Sequence, residues 1–198
     1  MTTQTTRLGK QHLLEVAEKL FTQHGYRAVS IRDIAKAGGV TNAAIYYHFP
    51  NKEALFDEVI ENHADKLALR LQQASSEAQT TRKQIAAMLT EYATFVSERR
   101  SLLFSLRRKP DEVHHKQNER HHGRIVSRML APIEKTLKSA VNQGELRDLP
   151  TDYSPASLLL GLFHGMLQHR INSSDCQIKA DDIEIVIDIF WDGLKPKI

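Results

Sequence analysis

Two stretches of this chain concentrate side chains that can do chemistry. The first, TNAAIYYHFPNKEAL at residues 41–55, sets Tyr46, Tyr47, His48 and Phe49 in consecutive positions. They lie between the small or hydrogen-bonding residues Thr41, Asn42, Ala43 and Ala44 and a lysine, Lys52. Phenol, imidazole and ammonium groups are donors suited to phosphate oxygens, whereas small polar residues at a helix start leave room for base edges. The second stretch, RRSLLFSLRRKPDEVHHKQNERHHGRIVSR at residues 99–128, carries nine Lys/Arg against three Asp/Glu. Within it His115, Glu119 and His122 fall at i, i+4 and i+7 of one helical face, with His114 and His121 on an adjacent face. Two imidazoles and a carboxylate can hold zinc or a similar ion. That outer pair spans about 10 Å, however, so one ion would need a ligand from a second helix. A rim attracting an anionic effector and a plain solvated basic face are the other readings, and the last is the ordinary fate of such a run.

Other chemistries leave no trace. The 198 residues contain no nucleophile elbow and no phosphate-binding glycine loop, so the chain reads as a non-enzyme without a cofactor. A single cysteine, Cys176, excludes an internal disulfide and a cysteine-based zinc site, and suits a reducing compartment. No apolar run approaches the roughly 18 to 20 residues of a membrane span, and MTTQTTRLGKQHLLE has no signal-peptide core. The expected address is cytoplasmic, with no membrane partner. The net charge is +3, and residues 1–55 account for it, with seven Lys/Arg against four Asp/Glu. The remaining 143 residues carry 20 of each sign, so the positive excess coincides with the Tyr-Tyr-His stretch, as at a nucleic-acid-binding end.

The elements that must position these residues are helical. Leu13, Leu14, Ala17, Leu20 and Phe21 recur at steps of three and four, so they share one face of a helix over 10–24 that stops at Gly25. Short helices are predicted at 30–37 and 41–47, and longer ones at about 52–75, 82–98, 100–108, 113–143, 154–171 and 181–193. Strand-like alternation is absent. The expectation is an all-α chain of about nine helices, split into an N-terminal three-helix domain at 1–52 and a C-terminal bundle at 53–198.

In SIRDIAKAGGVTNAAIYY, Ser30 can cap the second helix with Asp33 at its third position, and Ile31, Ile34 and Ala35 form its buried face. Ala35 supplies a small residue where two helices approach, Gly39 a turn residue tolerant of positive φ, and Ile45 an apolar anchor. This is the order and spacing of a helix-turn-helix, with Thr41 as N-cap of the recognition helix. In that docking mode Thr41, Asn42, Ala43 and Ala44 approach base edges, while Tyr47, His48 and Lys52 approach phosphates. Ile45 and Phe49 face inward, and Tyr46, on the side between, is a core residue or a phosphate contact, with core the first expectation.

Residues 13–55, LLEVAEKLFTQHGY followed by SIRDIAKAGGVTNAAIYYHFPNKEAL, resemble the DNA-binding domain of the TetR family of bacterial transcriptional regulators. The resemblance implies a homodimer on a roughly palindromic double-stranded operator, usually a repressor, released when a small molecule enters the C-terminal bundle. It adds Arg32 to Thr41, Asn42 and Ala43 near the bases, and Ser30 to Tyr47, His48 and Lys52 near the phosphates. Ala43 departs from the glycine many members carry, which alters the approach of the backbone to the groove.

The C-terminal bundle is less explicit. Pro132 is expected to kink or interrupt its helix and so open room inside. Met88, Tyr92, Phe95, Phe104, His121, Phe163 and His164 are the candidate effector-contacting residues, although a Met and aromatic stripe is ordinarily core. Leu158, Leu162, Gly165, Met166, Ile187 and Trp191 are the candidate dimer contacts, because the last two helices carry more apolar surface than one seam needs. The alternative regulator is metal-responsive, through the His114 to His122 region.

Overall fold

Leu13, Leu14, Ala17 and Phe21 are buried, and the helix that carries them, α1, runs Thr2–His24. It is followed by α2 (Ile31–Gly38), α3 (Asn42–His48), α4 (Lys52–Ser75), α5 (Thr81–Glu98), α6 (His115–Asn142), α7 (Pro155–Asn172) and α8 (Ala180–Gly193). The structure, a computed structural model, describes the backbone of residues 2–98, 115–172 and 178–196 and the side chains of 9–98, 123–168 and 178–196. Among the described residues every regular element is a helix, and none is long and apolar enough to cross a membrane. The helix expected over 100–108 lies outside them, as does Cys176.

Two compact units share the chain, one of Met1–Ala64 with Val96–Ile125, the other of Asp65–Phe95 with Val126–Ile198. Helices α4, α5 and α6 each contribute residues to both.

The first unit holds the helix-turn-helix. α2 begins with a complete capping box: Ser30 Oγ accepts from the Asp33 amide at 3.2 Å, and Asp33 Oδ2 accepts from the Ser30 amide at 2.8 Å. Its other end is closed by Gly39 at φ 65°, a left-handed conformation that glycine adopts without a Cβ penalty. There the Gly39 amide donates to Lys36 O at 3.4 Å and the Val40 amide to Ala35 O at 3.0 Å. His12 Nε2 lies 3.2 Å from Gly38 O, tying the same helix end to α1. The close approach of α1 to α2 is at Gly38, where an added Cβ would stand 3.4 Å from Leu13 Cδ2. Ile34, Ala35, Ile45 and Phe49 are buried, and Phe21 meets Phe56 edge-on at 5.3 Å between ring centres.

In the second unit α6 runs through Pro132 without interruption. The expected break does not occur. Ile133, Leu137 and Ala140 are fully buried along one face just beyond the proline, and that packing outweighs one missing amide donor. From the same helix Glu134 Oε2 accepts from Ser154 Oγ at 2.8 Å and the Ala156 amide at 3.2 Å, capping the start of α7. Helix α8 packs on α7 through a core of Ile183, Val186, Ile187, Phe190 and Trp191. Arg82 of α5 reaches α8 as well, pairing with Asp188 and with Glu184 at 3.4 Å.

Because α3 has one buried residue of its own, Ile45, its anchorage is concentrated there. Ile45→Ala is expected to cost about 2–5 kcal/mol, as other large aliphatic truncations in cores do. Urea unfolding followed by circular dichroism measures it.

Candidate nucleic-acid interface

A seven-residue helix makes few internal hydrogen bonds, so α3 relies on its ends. Thr41, extended at φ −84° and ψ 158°, accepts the Ala44 amide on Oγ1 at 3.2 Å, and the Phe49 amide closes the other end on Ile45 O at 2.9 Å. Ile45 and Phe49 fix the inner side. Thr41, Asn42 and Ala43 are left exposed in the first turn, and Arg32 is exposed on the first turn of α2. A surface of small and hydrogen-bonding side chains at a helix start, with a guanidinium on the preceding helix, is what groove contact requires.

Tyr47 is 77% exposed, and its ring meets the half-buried His48 edge-on at 5.0 Å. Lys52 opens α4, whose first turn is capped by Asn51 Oδ1 accepting the Ala54 amide at 2.8 Å. Its Nζ lies over the Tyr26 ring, 4.2 Å from the centre. Burial lowers the Lys52 pKa, and the Asp33 carboxylate opposes that shift. Phe49 has Lys10 at 5.5 Å over its ring, and Lys10 also pairs with Glu58 of α4.

One expectation changes. Tyr46 is 53% exposed, not core, since only the Ile45 and Phe49 side of α3 meets the rest of the unit. Tyr46 is therefore part of the exposed surface of α3, a placement that a helix of two turns is too short to reveal by periodicity. Ser30 is occupied as a cap: its hydroxyl donates to Asp33 Oδ2 at 2.6 Å and its amide to the same oxygen. The hydroxyl proton is thereby engaged in the cap, which fixes α2.

The candidate effector residues partly converge. Met88, Tyr92 and Phe95 of α5 and Phe163 of α7 are buried, with Tyr92 and Phe163 edge-on at 5.7 Å. Tyr92 Oη and the half-buried His164 Nε2 share a hydrogen bond of 2.7 Å. Arg70 of α4 lies 5.4 Å from the Phe95 ring centre and pairs with Glu91. Phe104 and the His121 side chain lie outside the described residues, as do His114 and the side chains of His115, Glu119 and His122. Among the described residues no group of three His, Cys, Asp or Glu side chains is arranged for a metal.

Of the candidate dimer contacts, Leu158, Leu162 and Gly165 are exposed and Met166 is half-buried. Ile187 and Trp191 are buried within the chain, because they belong to the stripe that packs α8 against its own unit. The exposed apolar residues of α8 are Ile185 and Ile189, at 54% and 58%.

An exposed recognition-helix surface on a helix-turn-helix, joined to a larger helical unit, defines the class of DNA-binding transcriptional regulators. Residues 13–59 match the family described as bacterial regulatory proteins, tetR family. The chain is 28% identical to the HTH-type transcriptional regulator AcrR of Shigella flexneri over 96% of its own length and 92% of that protein. It is 32% identical to the HTH-type transcriptional repressor KstR2 of Rhodococcus jostii over 41% of its length and 40% of that protein. Its fold matches a solved TetR family protein of Vibrio parahaemolyticus at TM-score 0.71 and 20% identity, covering 96% of this chain and all of that one. Residues 13–59 thus carry the DNA-binding domain of the TetR family of transcriptional regulators, and the chain is similar over most of its length to regulators with that domain.

The Asp33 carboxyl is held below its ordinary pKa of 3.8, first by its hydrogen bonds from Ser30. Its stabilising effect is therefore complete above 3.8 and is lost as pH falls through the lowered folded-state value. Thermal melts of the wild type and Asp33→Asn should differ at neutral pH and converge under acid conditions below that range.

Proposed function

We propose that this protein is a homodimeric repressor that binds a palindromic operator through α2 and α3 and releases it when a small molecule binds among the α5 and α7 side chains. The observation that carries the DNA half is the exposed set Arg32, Thr41, Asn42, Ala43 and Tyr47, displayed on helices whose caps and buried anchors are complete. Tyr47, His48 and Lys52 hold phosphates in this reading, which fixes register on the duplex. Base contacts from α3 and Arg32 supply the sequence preference.

Support for a dimer comes from apolar residues that the protomer leaves uncovered. Leu158 and Leu162 stand four residues apart on α7, as do Ile185 and Ile189 on α8. Gly161 and Gly165 have open space where a side chain would be, so another helix can approach there closely. A symmetric pair sets two recognition helices for successive major grooves about 34 Å apart. An effector that binds more tightly to a dimer with the wrong spacing shifts the population away from DNA. The buried aromatic cluster around Tyr92 and Phe163, with the Tyr92–His164 hydrogen bond as its polar feature, suits a ligand with an apolar body and one hydrogen-bonding group.

Selection of bound duplexes from a random pool at physiological salt tests the reading. A palindromic motif should emerge for the wild type and be lost in the Arg32→Ala, Tyr47→Ala variant with its folding unchanged. A folded wild type that enriches no motif would overturn it. Leu162→Arg should shift sedimentation from dimer to monomer and weaken operator binding, since each half-site alone holds only half the contacts.

A further inference from the structure

We propose that Tyr26 is a positioning residue for DNA, its ring holding the Lys52 ammonium where a phosphate arrives. The proposal rests on the reading of Lys52 as a phosphate contact. Lys52 is the first residue of α4, and a cation at that end of a helix faces the positive pole of the backbone dipole. Something else must keep it there. The ring face of Tyr26 does so, with Nζ 4.2 Å from the ring centre, within the range where an ammonium is attracted to an aromatic face.

The ring is itself clamped. Phe56, one turn along α4 from Lys52, lies 4.5 Å from Tyr26 between ring centres, and Phe21 of α1 lies 5.8 Å from it. One helix thus supplies both the lysine and a wall of the socket that holds the ring beneath it. An ammonium has three N–H donors, and an aromatic face takes up only one side of it. The outward side remains available to phosphate oxygens. A lysine free in solution loses much rotamer entropy when DNA immobilises it, and a side chain already laid on a ring loses less.

The test uses the 198-residue chain and an operator duplex obtained by selection, with affinity measured by fluorescence anisotropy over a range of salt concentrations. Lys52→Ala should flatten the slope of log K against log salt by about one. Tyr26→Phe should bind as the wild type does, and Tyr26→Leu about two- to five-fold more weakly. That loss should vanish when Tyr26→Leu is placed in the Lys52→Ala background. Leucine also changes the packing against Phe21 and Phe56, so a further variant carries a trifluorinated phenylalanine at position 26, which keeps the shape and depletes the charge of the ring face. It should bind more weakly than Tyr26→Phe at an unchanged melting temperature. Equal losses in both Lys52 backgrounds, or a fluorinated ring that binds as phenylalanine does, would overturn the proposal. So would a Lys52→Ala variant with unaltered affinity and salt slope, and in that case loss of the operator in Arg32→Ala, Tyr47→Ala would leave the DNA-binding reading standing.

Discussion

The constraint on which the DNA-binding end depends is the brevity of α3. An isolated helix needs about 12 to 15 residues to be even marginally stable in water, and this one has seven. Its conformation is therefore imposed from outside. The Gly39 turn sets where it begins, the Thr41 hydroxyl satisfies an amide of its first turn, and Ile45 and Phe49 hold one side against the unit. Everything else on α3 is left for contact.

The same economy governs the residues around it. Ser30 and Asp33 satisfy each other across the first turn of α2, so the acid that sits beside the positive helix end is occupied in capping. Asp33 also acts on Lys52, favouring its charged form against burial. A carboxylate near a DNA-facing surface repels phosphate unless its charge is engaged locally. Here the Ser30 amide and hydroxyl engage it, with Arg32 and Lys36 adding smaller favourable effects.

How much of this was legible follows from how each feature is encoded. The capping box, the left-handed glycine and the buried anchors Ile34, Ala35 and Ile45 are local signals at fixed offsets, and they were readable from the residues alone. The apolar periodicity likewise locates the helices of the described residues to within a few residues, apart from the start of α1. Tyr46 was misplaced because a single buried position within α3 does not define a stripe. At Pro132 the interruption does not follow, because a local rule about a missing donor is outweighed by tertiary packing on Ile133 and Leu137. The contact of Lys52 with Tyr26 joins residues on separate elements, and no periodicity carries that information. In α8 the difficulty was excess: Ile183, Ile185, Val186, Ile187, Ile189, Phe190 and Trp191 cover most of the helix surface, so composition could not say which side faced home.

That excess also bears on how the second unit presents its outer face. The energy that fixes α8 lies in the five buried residues from Ile183 to Trp191, whose burial contributes far more than the partly exposed pairing of Arg82 with Asp188 and Glu184. That burial also sets the rotation, with Ile187 inside and Ile185 and Ile189 outside, and Arg82 of α5 adds its pairing with Asp188 and Glu184 at the surface. Glu134 caps the start of α7, the helix that carries the exposed Leu158 and Leu162. Both outer apolar surfaces are therefore formed before any partner arrives. In the dimer proposed above, a second copy need not order the helices it meets, and the entropy cost of association falls mainly on rigid-body motion and a few side chains.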